Sequence, residues 1–156
     1  MVKLIFLVVI LMSVVSLRLT VQAHEGAKGV VKQRMDAMKT MASSMKSLHA
    51  IATGKAKFDR EKVKTNTSAI RNVGGEKLLK LLKMFPQGSV MSPSEAKPEI
   101  WENWPTYVNL VENLSQKLDS MDAVLSTAVT RAEFYSTFMG LSQTCSNCHK
   151  RFRAKK

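Results

Sequence analysis

The sequence predicts an all-α fold, an antiparallel four-helix bundle, and three observations carry that prediction. Apolar residues recur at steps of three and four along most of the chain, the spacing that lines one face of a helix, while strict alternation never runs a useful length. Gly54, Gly74-Gly75 and the proline-bearing stretch 86–98 interrupt this rhythm, leaving four amphipathic segments joined by mostly short connections. The two cysteines both lie on the apolar stripe of the last segment, so the bundle is expected to hold a cofactor among side chains of facing helices.

Before the first helix stands a targeting segment. Lys3 supplies a short positive region, Leu4 to Leu17 form an apolar run, and Val21-Gln22-Ala23 places small residues at −3 and −1. This is the pattern of a secretory signal peptide cleaved after Ala23. An uncleaved anchor is the alternative, but the run is shorter than the roughly 20 residues that span a bilayer, and Arg18 closes it. Residues 1–23 are therefore expected to be removed. Residues 24–156 then form one domain without a membrane span, exported to the periplasm.

The first helix follows from Val31, Met38, Met41, Met45, Leu48 and Ala52, and Gly54 closes it. Arg34 shares this stripe, one step before Met38. A second segment starts near Phe58-Asp59 and carries Val63, Ile70 and Val73. Leu78, Leu81, Leu82 and Phe85 make a short continuation that Pro86 and Gly88 stop. Residues 86–98 read as the main loop. Pro98 suits the first turn of a third helix, which buries Trp101, Trp104 or Val108, then Val111, Leu114, Leu118, Met121 and Leu125. Pro105 falls inside that segment, so either a kink or a late helix start is expected there. The fourth helix has the cleanest rhythm, Phe134, Phe138, Leu141, Cys145, Cys148 and Phe152. No internal repeat is present.

Cys145-Ser-Asn-Cys148-His149 is the most specific motif of the chain. C-x-x-C-H is the pattern of covalent c-type haem attachment. On a helix, positions 145, 148 and 149 project from one face. Each thiol is then placed to form a thioether with one haem vinyl group, and His149 to bind the iron from one side. Other readings compete. A thioredoxin-like dithiol needs a βαβ context that the chain lacks. A zinc site wants further ligands, and His24 and His49 have no such spacing. A plain disulfide in an oxidising compartment, or chance occurrence, also remains. Export through the signal peptide agrees with haem attachment.

Charge bounds the partners. Without residues 1–23, 22 Lys and Arg face 12 Asp and Glu, a surplus of about +10. An exported chain rarely meets nucleic acid, so an anionic partner protein or membrane surface, or simply a basic solvated surface, is the meaning of that surplus. A methionine stripe such as Met41 and Met45 is ordinarily core filling. A buried Arg34 needs an anionic partner, which a haem propionate would supply; a surface arginine is the other reading.

These residues resemble a known family, the class II cytochromes c, which comprises the cytochrome c-prime and cytochrome c-556 types. Lys32-Gln33-Arg34 with Ala37-Met38-Lys39 resembles the family's Arg-x-x-x-(Leu or Met) stretch. Ile51 to Asp59 resembles its turn between helices, Lys97-Pro98-Glu99-Ile100-Trp101 the start of its third helix, and Cys145 to Arg153 its C-terminal signature. The resemblance implies a four-helix bundle with one covalent haem c per chain. It also implies that Arg153, four residues after the ligand histidine, lies near the imidazole. Arg153 as part of a solvated basic tail with Lys150, Arg151, Lys155 and Lys156 is the plainer alternative.

At the position of Met38 the resemblance implies a choice. An apolar residue leaves the iron five-coordinate and open to small gases such as nitric oxide or carbon monoxide. A methionine resembles the c-556 type, in which sulfur fills the sixth site. Met38 as distal ligand opposite His149 therefore implies electron transfer between redox partner proteins with acidic surfaces, and no catalysis. His49 lies 11 residues from Met38, about 16 Å along a helix, and cannot serve the same site. Homodimers are common in the family, but no heptad seam here clearly faces outward. A haem-free thiol or metal-binding bundle is the reading from another class.

Overall fold

The boundaries of the helices follow the turn chemistry written beside them. The computed structural model describes residues 27–75, 77–78, 86–90, 92–127 and 130–154. Among these, α1 runs over Gly29–Ala52, α2 over Arg60–Val73, α3 over Glu99–Glu102, α4 over Trp104–Leu125 and α5 over Arg131–Phe152. The expected signal peptide, and Leu81, Leu82 and Phe85, lie outside the described residues.

Helix α1 stops where Gly54 takes φ +75°, a conformation open to glycine and strained for other residues. Asp59 then caps α2, its carboxylate accepting from the Lys62 N–H at 3.1 Å. At Gly74 α2 ends in close contact with its neighbours. A Cβ there would come within 3.2 Å of both the Met41 sulfur and a Leu114 methyl. The third segment resolves the alternative at Pro105 in favour of a late start. The backbone bends at Asn103 between α3 and α4, and Pro105 sits in the first turn of α4, where its missing N–H has no helical partner to lose. Thr130 and Glu133 begin α5 with a reciprocal capping box.

The four long helices close a ring. α1 packs on α2 and α5, and α4 packs on the same two. The short connections 53–59 and 126–130 force α1 against α2 and α4 against α5 in antiparallel pairs. Two apolar clusters fill the ring. The larger holds Leu48, Ile51, Val63, Ile70, Leu118, Met121, Phe134 and Leu141. The smaller holds Leu78, Ile100, Tyr107, Val111 and Phe152. Met38 packs partly against both.

Some core positions differ from the apolar pattern. Tyr107 is buried and Val108 half-buried, because α4 starts late and its inward face is set from Trp104. Thr67 and Thr144 are buried although polar. Each hydroxyl bonds a carbonyl of its own helix, Thr67 to Lys64 at 3.0 Å and Thr144 to Gly140 at 3.2 Å, which satisfies it away from water. Val31, Trp101, Cys145 and Cys148 are half-buried rather than core. Among the described residues, no helix is long and apolar enough to cross a membrane.

Candidate functional site

The last two turns of α5 carry three candidate donors. Cys145, Cys148 and His149 sit at i, i+3 and i+4, as their spacing dictates. The two cysteines are not joined to each other in a disulfide. Burial pushes the Cys145 thiol up, and burial together with the neighbouring Cys145 raises Cys148 to about 11. Redox-catalytic dithiols have the opposite tuning, with a depressed pKa that exposes a thiolate. His149 is shifted downward, chiefly by burial and then by the Arg153 cation, with Glu95 opposing. A neutral imidazole is the metal-binding form.

A cavity opens beside these donors between α1 and the end of α5. Cys148, His149, Phe152 and Arg153 form one wall and Arg34, Met35, Met38, Lys39 and Ala42 the other. Residues 93–96 with Ile100 and Tyr107 complete it. Cys145 lies one turn back and is not part of this lining. Five of the six sequence-predicted residues thus meet at one cavity. His49 does not; it is exposed and packs its ring against Phe138, centroids 5.8 Å apart. Among the described residues, no three His, Cys, Asp or Glu converge as a metal-binding group.

Arg34 is 4 % exposed, so it is no surface arginine. Its guanidinium donates to the Ser89 hydroxyl at 3.0 Å, the Ser89 carbonyl at 2.8 Å and the Ser94 hydroxyl at 2.5 Å. Burial lowers its pKa, partly offset by Tyr107. Arg153 is not a loose tail residue either. Its Nε donates to the Glu95 carboxylate at 2.7 Å, and its backbone N–H caps α5 on the His149 carbonyl at 3.2 Å.

Several lining residues carried no reading in the sequence, among them Ser94, Glu95, Tyr107 and Met35. Glu95 carried no signal beyond its place in a polar loop. Tyr107 was passed over for Val108 in the helical count. Met35 stands off the stripe of Met38, Met41 and Met45, yet it reaches the cavity beside Met38.

The donor set fits a covalently bound haem. It comprises two thiols on one helical face, an imidazole shifted toward its neutral form, a thioether on the facing helix and a buried cation in the same apolar-walled cavity. Comparisons with known proteins point the same way. The sequence pattern of cytochrome c' matches residues 29–153. A cytochrome c-556 of Agrobacterium fabrum is 32% identical over 130 residues, covering 83% of this chain and 84% of that protein. A cytochrome c' of Rhodopseudomonas palustris is 30% identical over 128 residues, covering 81% and 83%. The solved cytochrome c' from Rhodopseudomonas palustris superposes with a TM-score of 0.71 at 29% identity, covering 83% of this chain and 99% of that one. This chain therefore belongs to the cytochrome c' family, non-enzymatic periplasmic haem proteins with one covalent haem c per chain.

Proposed function

We propose that this protein carries single electrons between redox partners through a haem ligated by His149 and Met38. One observation supports this above the others: Met38 of α1 and His149 of α5 line the same cavity from facing helices. When bound, the haem supplies an iron that cycles between ferrous and ferric states. Cys145 and Cys148 would hold it covalently as thioethers, and His149 would supply a ligand to the iron. Met38 would supply a second protein ligand from the facing helix, which would raise the potential and bar exogenous ligands. Arg34 pairs with a propionate, and Arg153 lies beside the imidazole. Export follows cleavage after Ala23, and the basic surface of the released chain meets redox partners with acidic surfaces.

Spectroscopy of the holoprotein tests the ligand pair. The wild type is expected to be low-spin in both oxidation states and slow to bind carbon monoxide. Met38→Leu should turn high-spin and five-coordinate, bind carbon monoxide readily and drop in potential. Met41→Leu, a volume-conserving change at a buried position, should keep the wild-type spectrum and lose less than about 1.5 kcal/mol of stability. A high-spin wild type, or an unchanged Met38→Leu, would replace this reading with a five-coordinate protein that binds small gases.

A further inference from the structure

The segment 94–97 is tied to both helices that frame the cavity. On the α5 side, the Lys97 N–H donates to the Phe152 carbonyl at 3.0 Å and the Ala154 N–H to the Glu95 carbonyl at 2.8 Å. Ala96 and Arg153 form an antiparallel bridge, and the Glu95 carboxylate accepts from Arg153 at 2.7 Å. These contacts begin three residues beyond His149. On the α1 side, the Ser94 hydroxyl accepts from Arg34, one helical turn before Met38. The same oxygen accepts from the Ala96 N–H at 3.1 Å, so one hydroxyl joins the α1 tie to the α5 tie.

We propose that Ser94 is a positioning residue for the distal ligand, and that segment 94–97 is a strap fixing how closely the Met38 turn of α1 approaches the His149 end of α5. The proposal rests on the Met38/His149 reading. Apolar packing does not set that separation tightly, because Met38 is only partly buried and fills the junction of two clusters. Hydrogen bonds from a guanidinium are directional and charge-assisted, so they define position where packing does not. An iron–thioether bond forms only at the right separation. A strap that holds α1 in place therefore keeps the sulfur on the iron, and a slack one lets it leave.

Ser94→Ala in the haem-loaded protein removes the shared oxygen and leaves both flanking attachments of the backbone. Losing one charge-assisted hydrogen bond corresponds to about a tenfold change in an equilibrium. The methionine-off population should rise about tenfold, seen as a growing high-spin fraction and carbon monoxide uptake faster by the same factor. Ser94→Thr, which keeps a hydroxyl, should return both to wild-type values, a rescue that general loosening would not produce. A low-spin wild type with an unaltered Ser94→Ala overturns the strap alone. A high-spin wild type overturns the methionine reading, and the strap with it. Should Ser94→Ala fail to load haem, Glu95→Gln, which weakens the α5 tie by removing its charge, is judged by the same two readouts.

Discussion

Arg34 keeps a full cation inside the cavity wall, where three acceptor contacts from Ser89 and Ser94 replace its water. Replacing it with methionine preserves the length and apolar stem but strands those acceptors. Hydrogen bonds to charged groups contribute about 1.5–3 kcal/mol, so Arg34→Met should lower stability by about 2 kcal/mol. The measurement is a lower urea midpoint with an unchanged slope; an equal midpoint would mean that the seryl oxygens find water instead. The identity of Arg34 as an inward residue was half legible, because it stands on the apolar stripe. The seryl oxygens that meet it in the fold were not, since Ser89 and Ser94 lie 55 and 60 positions away. Glu95 was illegible for the same reason, paired with Arg153 across 58 positions. Cys145, Cys148 and His149 needed no such distant contact, because helical geometry alone puts them on one face.

Helix α5 carries the candidate ligands at one end and its strongest start signal at the other. The Thr130 hydroxyl accepts from the Glu133 N–H at 3.2 Å while the Glu133 carboxylate accepts from the Thr130 N–H at 2.7 Å. Thr130→Ala should destabilise the protein by about 1 kcal/mol, read from thermal or urea unfolding. The carboxylate half of the box is pH-dependent. The Thr130 N–H holds the Glu133 carboxyl below its ordinary range, so its contribution is present above the unfolded-state pKa and is lost as pH falls through the lower folded-state value. Glu133→Gln should therefore be less stable than the wild type at neutral pH and converge on it in acid. A gap that stays constant with pH would place the role of Glu133 elsewhere. The apolar stripe from Phe134 onward made α5 legible, while its first residue is set by the Thr130-x-x-Glu133 box, which the stripe does not show. The start of α4 was not legible either, because a proline is compatible with both a first turn and a mid-helix kink, and only the bend at Asn103 decides.

Among the described residues, the number and order of the four long helices were legible because each buries one stripe; the short α3 was not, because only the bend at Asn103 separates it from α4. Which helix meets which was legible only for the pairs with short connections; the contacts of α1 with α5 and of α2 with α4 arise from closing the ring. The division of the interior into two apolar clusters was not legible at all, since both draw on the same continuous stripe of α4. That division has a consequence for the chain before it receives its cofactor. The larger cluster is closed by side chains from all four long helices and does not need the cavity to be filled. The smaller one, with Ile100, Tyr107 and Phe152, forms the cavity's own lining. Local opening follows local burial. In amide exchange of the haem-free protein, Leu48, Ile70, Leu118 and Phe134 should remain protected while Ile100, Tyr107 and Phe152 exchange quickly. Uniform exchange would mean that the two halves unfold as one. A chain firm at one end and open at the other would have most of its fold in place before its thiols take the haem, so maturation would be the closing of one end rather than the folding of the whole.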